Sequence, residues 1–225
     1  MTAGLTTFTD QGIMQIDSNF KTVSPAFRLT YTGPYSSASS TFTGSWHQFT
    51  ITVPTDVKYL FFSSSVDRTI GLMKKSGTEH TFRTSTQGTV EVYGFKDTPA
   101  QASSGNFGLQ LFDENGVLTF DSNNNFMKVA NVFTVPTTGM KVEPWPEVGH
   151  SYAVGLGVYA KQWRGAAQAG VPWGVMMSYC VRVGPISGGG GYTAIAARPW
   201  GSDTPPNDTP QAPPPPAMVV DVTGL

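Results

Sequence analysis

Carboxylates are the first residues to weigh for chemistry. Asp17 and Asp121 sit in matched Asp-Ser-Asn contexts, and Glu143 and Glu147 flank Trp145. Glycoside hydrolysis needs two carboxyl groups about 5–9.5 Å apart across a cleft, one as acid and one as nucleophile or base. Asp-Ser-Asn is equally the chemistry of a strand end, where short polar side chains bond back to the backbone. Glu143-Pro144-Trp145-Pro146-Glu147 reads as a proline-stiffened loop with exposed charges. His47, His80 and His150 show no H-x-x-x-H or H-E-x-x-H spacing, so a metal site would require the fold to gather them. Cys180 is the only cysteine, and its neighbours Met176-Met177-Ser178-Tyr179 and Val181 make it a buried thiol rather than a nucleophile. No G-x-S-x-G or G-x-x-x-x-G-K-[ST] occurs, and Gly188-Gly189-Gly190-Gly191 reads as a hinge. The expectation is no catalytic residue, no metal and no cofactor.

Aromatic side chains are the better lead. Trp145, Trp163, Trp173 and Trp200 crowd the C-terminal part, while Trp46 stands alone. An indole can stack on the apolar face of a sugar, or it can fill a core or an interface between subunits. Trp145, Trp163 and Trp173 are the candidate receptor or interface aromatics.

The elements that must position these residues are strands. The chain has 25 Gly and 17 Pro among 225 residues, which break it into short segments rich in Val, Ile, Thr, Phe and Tyr. Candidate strands recur from Ala26–Thr32 to Thr193–Ala197, near five residues each, as in a β-sandwich or barrel. One short helix is expected over Ala160–Ala169. The fold class is all-β, with antiparallel sandwich-type lobes.

Charge is low and balanced, with 14 basic and 15 acidic residues and a net charge of -1. Nucleic-acid binding would need a basic stripe, so none is expected. Charged residues make up 13% of the chain, about half the ~25% usual for soluble domains. Such a surface tolerates burial against neighbours and suits part of an assembly. The opening Met1-Thr2-Ala3-Gly4-Leu5 has neither the basic nor the apolar region of a signal peptide. No apolar run approaches the ~20 residues of a membrane helix, so no membrane insertion is expected.

One internal repeat stands out. Gly4–Asn19 and Gly108–Asn123 both read G-L-x-x-F-x-x-x-G-x-x-x-[IF]-D-S-N, 104 residues apart. Each is expected to form a β-hairpin. The first turn falls at Asp10 and Gly12, and the second at Asp113, Asn115 and Gly116, where Asn-Gly suits a tight hairpin turn. A 104-residue period is too long for a solenoid and points to two related lobes or to one body using the hairpin twice. The expected division is 1–104, 105–200 and 201–225.

These residues resemble a known family. A strand reading G-L-x-x-F, a turn with Gly and a strand ending in F-D-S are similar to small minor tail proteins of long-tailed bacteriophages. Trp46–Ser65 and Val90–Phe95 extend the resemblance, which covers residues 4–135. It implies a non-enzymatic virion protein at the tail tip or tail fibre, made in the bacterial cytoplasm. It would meet other virion proteins and copies of itself, with a host surface receptor as a further partner. A receptor- or glycan-binding adhesin and a head decoration protein are the alternatives.

Gly201–Pro216 (GSDTPPNDTPQAPPPP) holds too little apolar surface to fold alone and favours extended polyproline geometry. Apolar Ala217–Leu225 follows it. The pair reads as a stiff arm that docks Met218, Val219, Val220 and Val222 on a neighbouring subunit.

Overall fold

The computed structural model describes residues 6–8, 14–17, 22–38, 46–97, 108–134, 140–156, 161–168, 171–185, 191–202 and 216–225. These residues are strands and turns without a helix, and every strand pair is antiparallel. The hairpin β1 (Thr6–Phe8) and β2 (Met14–Asp17) comes first. It is followed by β3 (Val23–Tyr31), β4 (Ser36–Ala38), β5 (Trp46–Thr52), β6 (Val57–Ser63), β7 (Arg68–Ser76), β8 (Glu79–Thr84) and β9 (Val90–Asp97). A second hairpin, β10 (Gln110–Phe112) and β11 (Leu118–Asp121), precedes β12 (Lys128–Thr134), β13 (Met140–Pro144) and β14 (Tyr152–Leu156). The chain ends with β15 (Lys161–Gln168), β16 (Val171–Val183), β17 (Gly191–Ser202) and β18 (Pro216–Asp221).

The helix expected over residues 160–169 is instead strand β15. It pairs residue for residue with β16, from Lys161 opposite Ser178 to Gln168 opposite Val171. That ladder supplies the backbone partners, and the high helix propensity of alanine, small in energy, does not outweigh it.

The repeat extends well beyond the two hairpins. Thr6, Thr7 and Phe8 face Asp17, Ile16 and Met14, while Gln110, Leu111 and Phe112 face Asp121, Phe120 and Leu118. Each hairpin skips one residue, Gln15 in the first and Thr119 in the second, so the bulge also recurs at an offset of 104. The strand after each hairpin is bulged as well, at Ala26 in β3 and at Ala130 in β12, again 104 residues apart. A bulge bends its strand and fixes register, so two bulges recurring at one offset mark one unit built twice.

The sheets follow the same rule. One has six strands in the order β12-β18-β14-β6-β9-β3, and one follows the path β13-β17-β16-β7-β8-β5-β4, with β15 paired to β16. In chain order β3, β5, β6, β7, β8 and β9 take the places that β12, β13, β14, β16, β17 and β18 take in the other half. The six-stranded sheet therefore reads the same from both ends, and the longer path does so apart from β4, which lies outside β5. The halves meet at two strand pairs, β6 with β14 and β7 with β16. The expected division near residue 104 falls between the two copies of the repeat, and each large sheet takes strands from both.

Glycines permit these joints. A Cβ on Gly155 of β14 would fall 2.5 Å from the Leu60 carbonyl oxygen of β6. One on Gly71 of β7 would fall 2.4 Å from Cys180 Sγ of β16. Just past β16, Gly184 (φ 108°) lies against the Val66 backbone, and Arg182 makes a bidentate ion pair with Asp67.

Two apolar clusters result. The larger takes Phe49, Ile51, Ile70 and Phe82 from the longer sheet and Leu60, Phe62, Val92, Val154 and Val219 from the six-stranded one. The period-two alternation of strands sends Phe61, Phe95, Ala153 and Val220 to the other face of the six-stranded sheet, where they form the second cluster. That sheet curls until its edges touch: the Met127 N–H donates to the Val23 carbonyl at 2.7 Å.

The docking end of the expected arm is corrected by this arrangement, while 203–215 of its Pro-rich stretch lie outside the described residues. Residues 216–221 do not reach another subunit; they form β18, between β12 and β14 of the chain's own sheet. Ala217, Val219 and Val220 are 0% exposed, and Val222 is 3%. The reason is the duplication, since the second half lacks its counterpart of β9 without this strand. Removing residues 216–225 opens the middle of a sheet and uncovers both clusters. The truncated chain is expected to lose its cooperative melting transition by circular dichroism. Gly155→Ala, which meets backbone that cannot move aside, should cost about 1–3 kcal/mol in denaturant titration.

Candidate functional site

The second hairpin shows what the repeated motif does. The Asp113 carboxylate accepts from the N–H groups of Asn115 (2.9 Å) and Val117 (2.8 Å), and Gly116 takes φ 75° to complete the turn. Leu109 and Ser122 are bonded twice: the Leu109 N–H donates to Ser122 Oγ, and the Ser122 N–H to the Leu109 carbonyl. The buried Asp121 carboxylate accepts from the Asn123 N–H (2.8 Å) and the Gln110 amide (2.9 Å). A Cβ on Gly108 would lie 2.5 Å from Asn123 Nδ2, so the asparagine side chain would have to shift. The G-L and D-S-N ends of the motif are thus each other's partners, and Asp121 is a structural carboxylate. Asp10 and Gly12 lie outside the described residues, as does the side chain of Asp17.

The polar cluster of greatest chemical interest gathers at the end of β18. Asp221 faces Lys128 on β12 and Tyr152 on β14 in the ladder. His150 Nδ1 lies 2.8 Å from Asp221 Oδ2, and Nε2 lies 3.4 Å from the Glu147 carboxylate. The second Asp221 oxygen accepts from the Thr223 N–H (2.8 Å), and Thr223 Oγ1 accepts from the Ser151 N–H. Burial alone would push the Asp221 carboxyl up. The Thr223 and His150 hydrogen bonds outweigh it and hold the group below the usual carboxylate range. Tyr152, raised by burial and by Asp221, stacks on Trp145 with ring centres 5.4 Å apart, and His150 stacks 6.1 Å from Tyr152.

An Asp–His pair activates a nucleophile only where the far imidazole nitrogen meets a hydroxyl or thiol. Here that nitrogen meets a carboxylate, and the cluster acts as a clasp between the loop before β14 and the end of β18. The other two histidines lie elsewhere. His47 on β5 meets Gln87 at 3.0 Å, while His80 on β8 is buried, and burial followed by Lys75 lowers its pKa. Among the described residues no group of three or more His, Cys, Asp and Glu is placed to hold a metal ion. Cys180 is buried at the joint between the halves.

The aromatic candidates separate. Trp145 is half-buried against the larger cluster, which makes it partly a core residue. Trp163 lies on β15 opposite Met176, and Trp173 on β16 opposite Ala166. Met218, Val219 and Val220 are in β18, and Val222 follows it. The sequence missed the clasp because its members lie up to 74 residues apart, and no spacing joins Glu147 to Asp221. No family model, curated protein or solved structure matches this chain.

The clasp gives a signed pH dependence. The lowered Asp221 pKa contributes stability that is fully present above the unfolded carboxylate value of about 3.9. That contribution is lost as pH falls further through the folded value. Asp221→Asn should therefore lower stability at neutral pH and flatten the acid limb of stability below about pH 4, read by denaturant titration at a series of pH values.

Proposed function

We propose that this chain is a non-enzymatic structural protein of a bacteriophage virion, placed at the tail tip or fibre and working in several copies. The observation that carries the reading is the hairpin unit occurring twice in one register, each copy leading into an edge strand of the six-stranded sheet. Those are the residues whose sequence resembles small minor tail proteins. The finer architecture belongs to the same reading: the two large sheets form a β-sandwich over their shared cluster. Polar surface with few charges suits burial against neighbouring subunits.

Assembly in this reading proceeds by edge pairing and polar contact. β3 and β12 end the six-stranded sheet, while β4 and β13 end the longer path. Val132 on β12, which ends the six-stranded order, is 45% exposed. The test is mass spectrometry and immunogold labelling of purified phage particles. Several copies per particle, with label at the distal tail, are expected; absence from purified particles overturns the reading. Val132→Lys should leave the melting temperature within about 1–2 °C, as for most surface changes, while reducing incorporation.

A further inference from the structure

The duplication exposes an addition that only the second half carries. In the first half β7 and β8 are joined by the two-residue turn Gly77-Thr78. Their counterparts β16 and β17 run on past the joint. Residues 181–183 of β16 pair with β7, whereas 171–178 pair with β15, and 174–178 also pair with 198–202 of β17. β15 has no counterpart in the first half. A three-stranded ribbon has been added to one copy of a repeated unit, so its role is one the repeated unit does not need.

Its residues are unlike the rest of the chain. Residues 161–168, 171–178 and 198–202 include Lys161, Arg164 and Arg198 and no Asp or Glu, in a chain of net charge -1. Trp163, Trp173 and Trp200 are three of the five tryptophans. Register places Trp163, Met176 and Trp200 directly opposite one another in one row across the three strands. Lys161, Ser178 and Arg198 form the row two residues along, and Gly165, Gly174 and Ser202 the row on the other side. Residues opposite one another in antiparallel strands share a face, as do those two apart, so all three rows belong to one face. Trp173 occupies an alternate row.

We propose that this ribbon face binds an anionic polysaccharide, with Trp163 and Trp200 as sugar-stacking positions and Lys161 and Arg198 as charge partners. β15 and β17 are two strand spacings apart, about 10 Å, the scale of two linked sugar rings. Indoles supply flat apolar surface with a polar edge, and the neighbouring cations match carboxylate or phosphate groups on the glycan. Three cations on a chain of net charge -1 give too weak a field for a nucleic-acid backbone. This site goes beyond the structural role and does not depend on it.

Calorimetric titration of the full-length chain tests the proposal. The probes are polygalacturonate oligomers, neutral dextran of equal length, a single-stranded oligonucleotide and phosphatidylglycerol vesicles. Binding to polygalacturonate is expected and should weaken with salt. Trp163→Ala with Trp200→Ala should reduce affinity at least tenfold, and the two Tyr replacements, which retain an aromatic face, should stay within a few-fold of the native chain. Lys161→Gln with Arg198→Gln should flatten the salt dependence, while Trp173→Ala should change affinity by less than about twofold. Equal affinity for dextran, tighter binding to oligonucleotide or vesicles, no binding to polygalacturonate, or an Ala pair that binds like the native chain overturns the site. Particle incorporation of the Ala pair is read separately, so a failed glycan site and a failed virion role give different results.

Discussion

An open strand edge cannot be left unpaired without inviting other chains, and this constraint organises the whole molecule. Each half, taken alone, ends one sheet at β6 or β14 and the other at β7 or β16. Pairing β6 with β14 and β7 with β16 covers four edges with two contacts and turns two small sheets per half into two large ones. Gly71, Gly155 and Gly184 stand where backbone or side chain of the other half comes closest. The Arg182–Asp67 pair spans the same joint, and its partly buried bidentate geometry is the kind that fixes register as well as adding energy.

The second consequence of the joint is a six-stranded sheet whose inner strands carry an apolar cluster on each face. One face meets the longer sheet, and the other is enclosed as the edges curl together at Val23 and Met127. β18 serves both faces, since its even and odd positions enter different clusters. A strand with apolar residues at successive positions is what such a site requires, and it explains why Ala217–Val220 carries no polar residue.

The ionisable groups fit a molecule that spends its few charges on fastening. Asp121 closes a hairpin, Asp113 builds a turn, and Asp221 with His150 ties a loop to the last strand. Arg68 is buried and donates to the Gln87 and Gly88 carbonyls, with burial lowering its pKa. In each case the partner is backbone or a nearby side chain of the same chain, and the groups are consumed in holding strand ends.

Much was legible in the residues themselves. Gly and Pro spacing with β-branched runs determined an all-β antiparallel chain. Gly108, Asn115-Gly116 and Asp121-Ser122-Asn123 determined a hairpin, because their hydrogen bonds are local and need no other part of the fold. Beyond residue 135 the repeat left no trace in the sequence. A strand asks only for alternating apolar positions and a length, and the matched strands diverge freely: β9 and β18 pair in the same way at an offset of 125 rather than 104. Tertiary structure alone decided that Lys161–Gln168 is a strand, since the partner ladder outweighs local preference. It also decided that the apolar end of the chain belongs to its own core. Composition announces that such a segment must be buried, but the vacancy that buries it is a gap in a sheet, and a gap exists only once the other strands are in place.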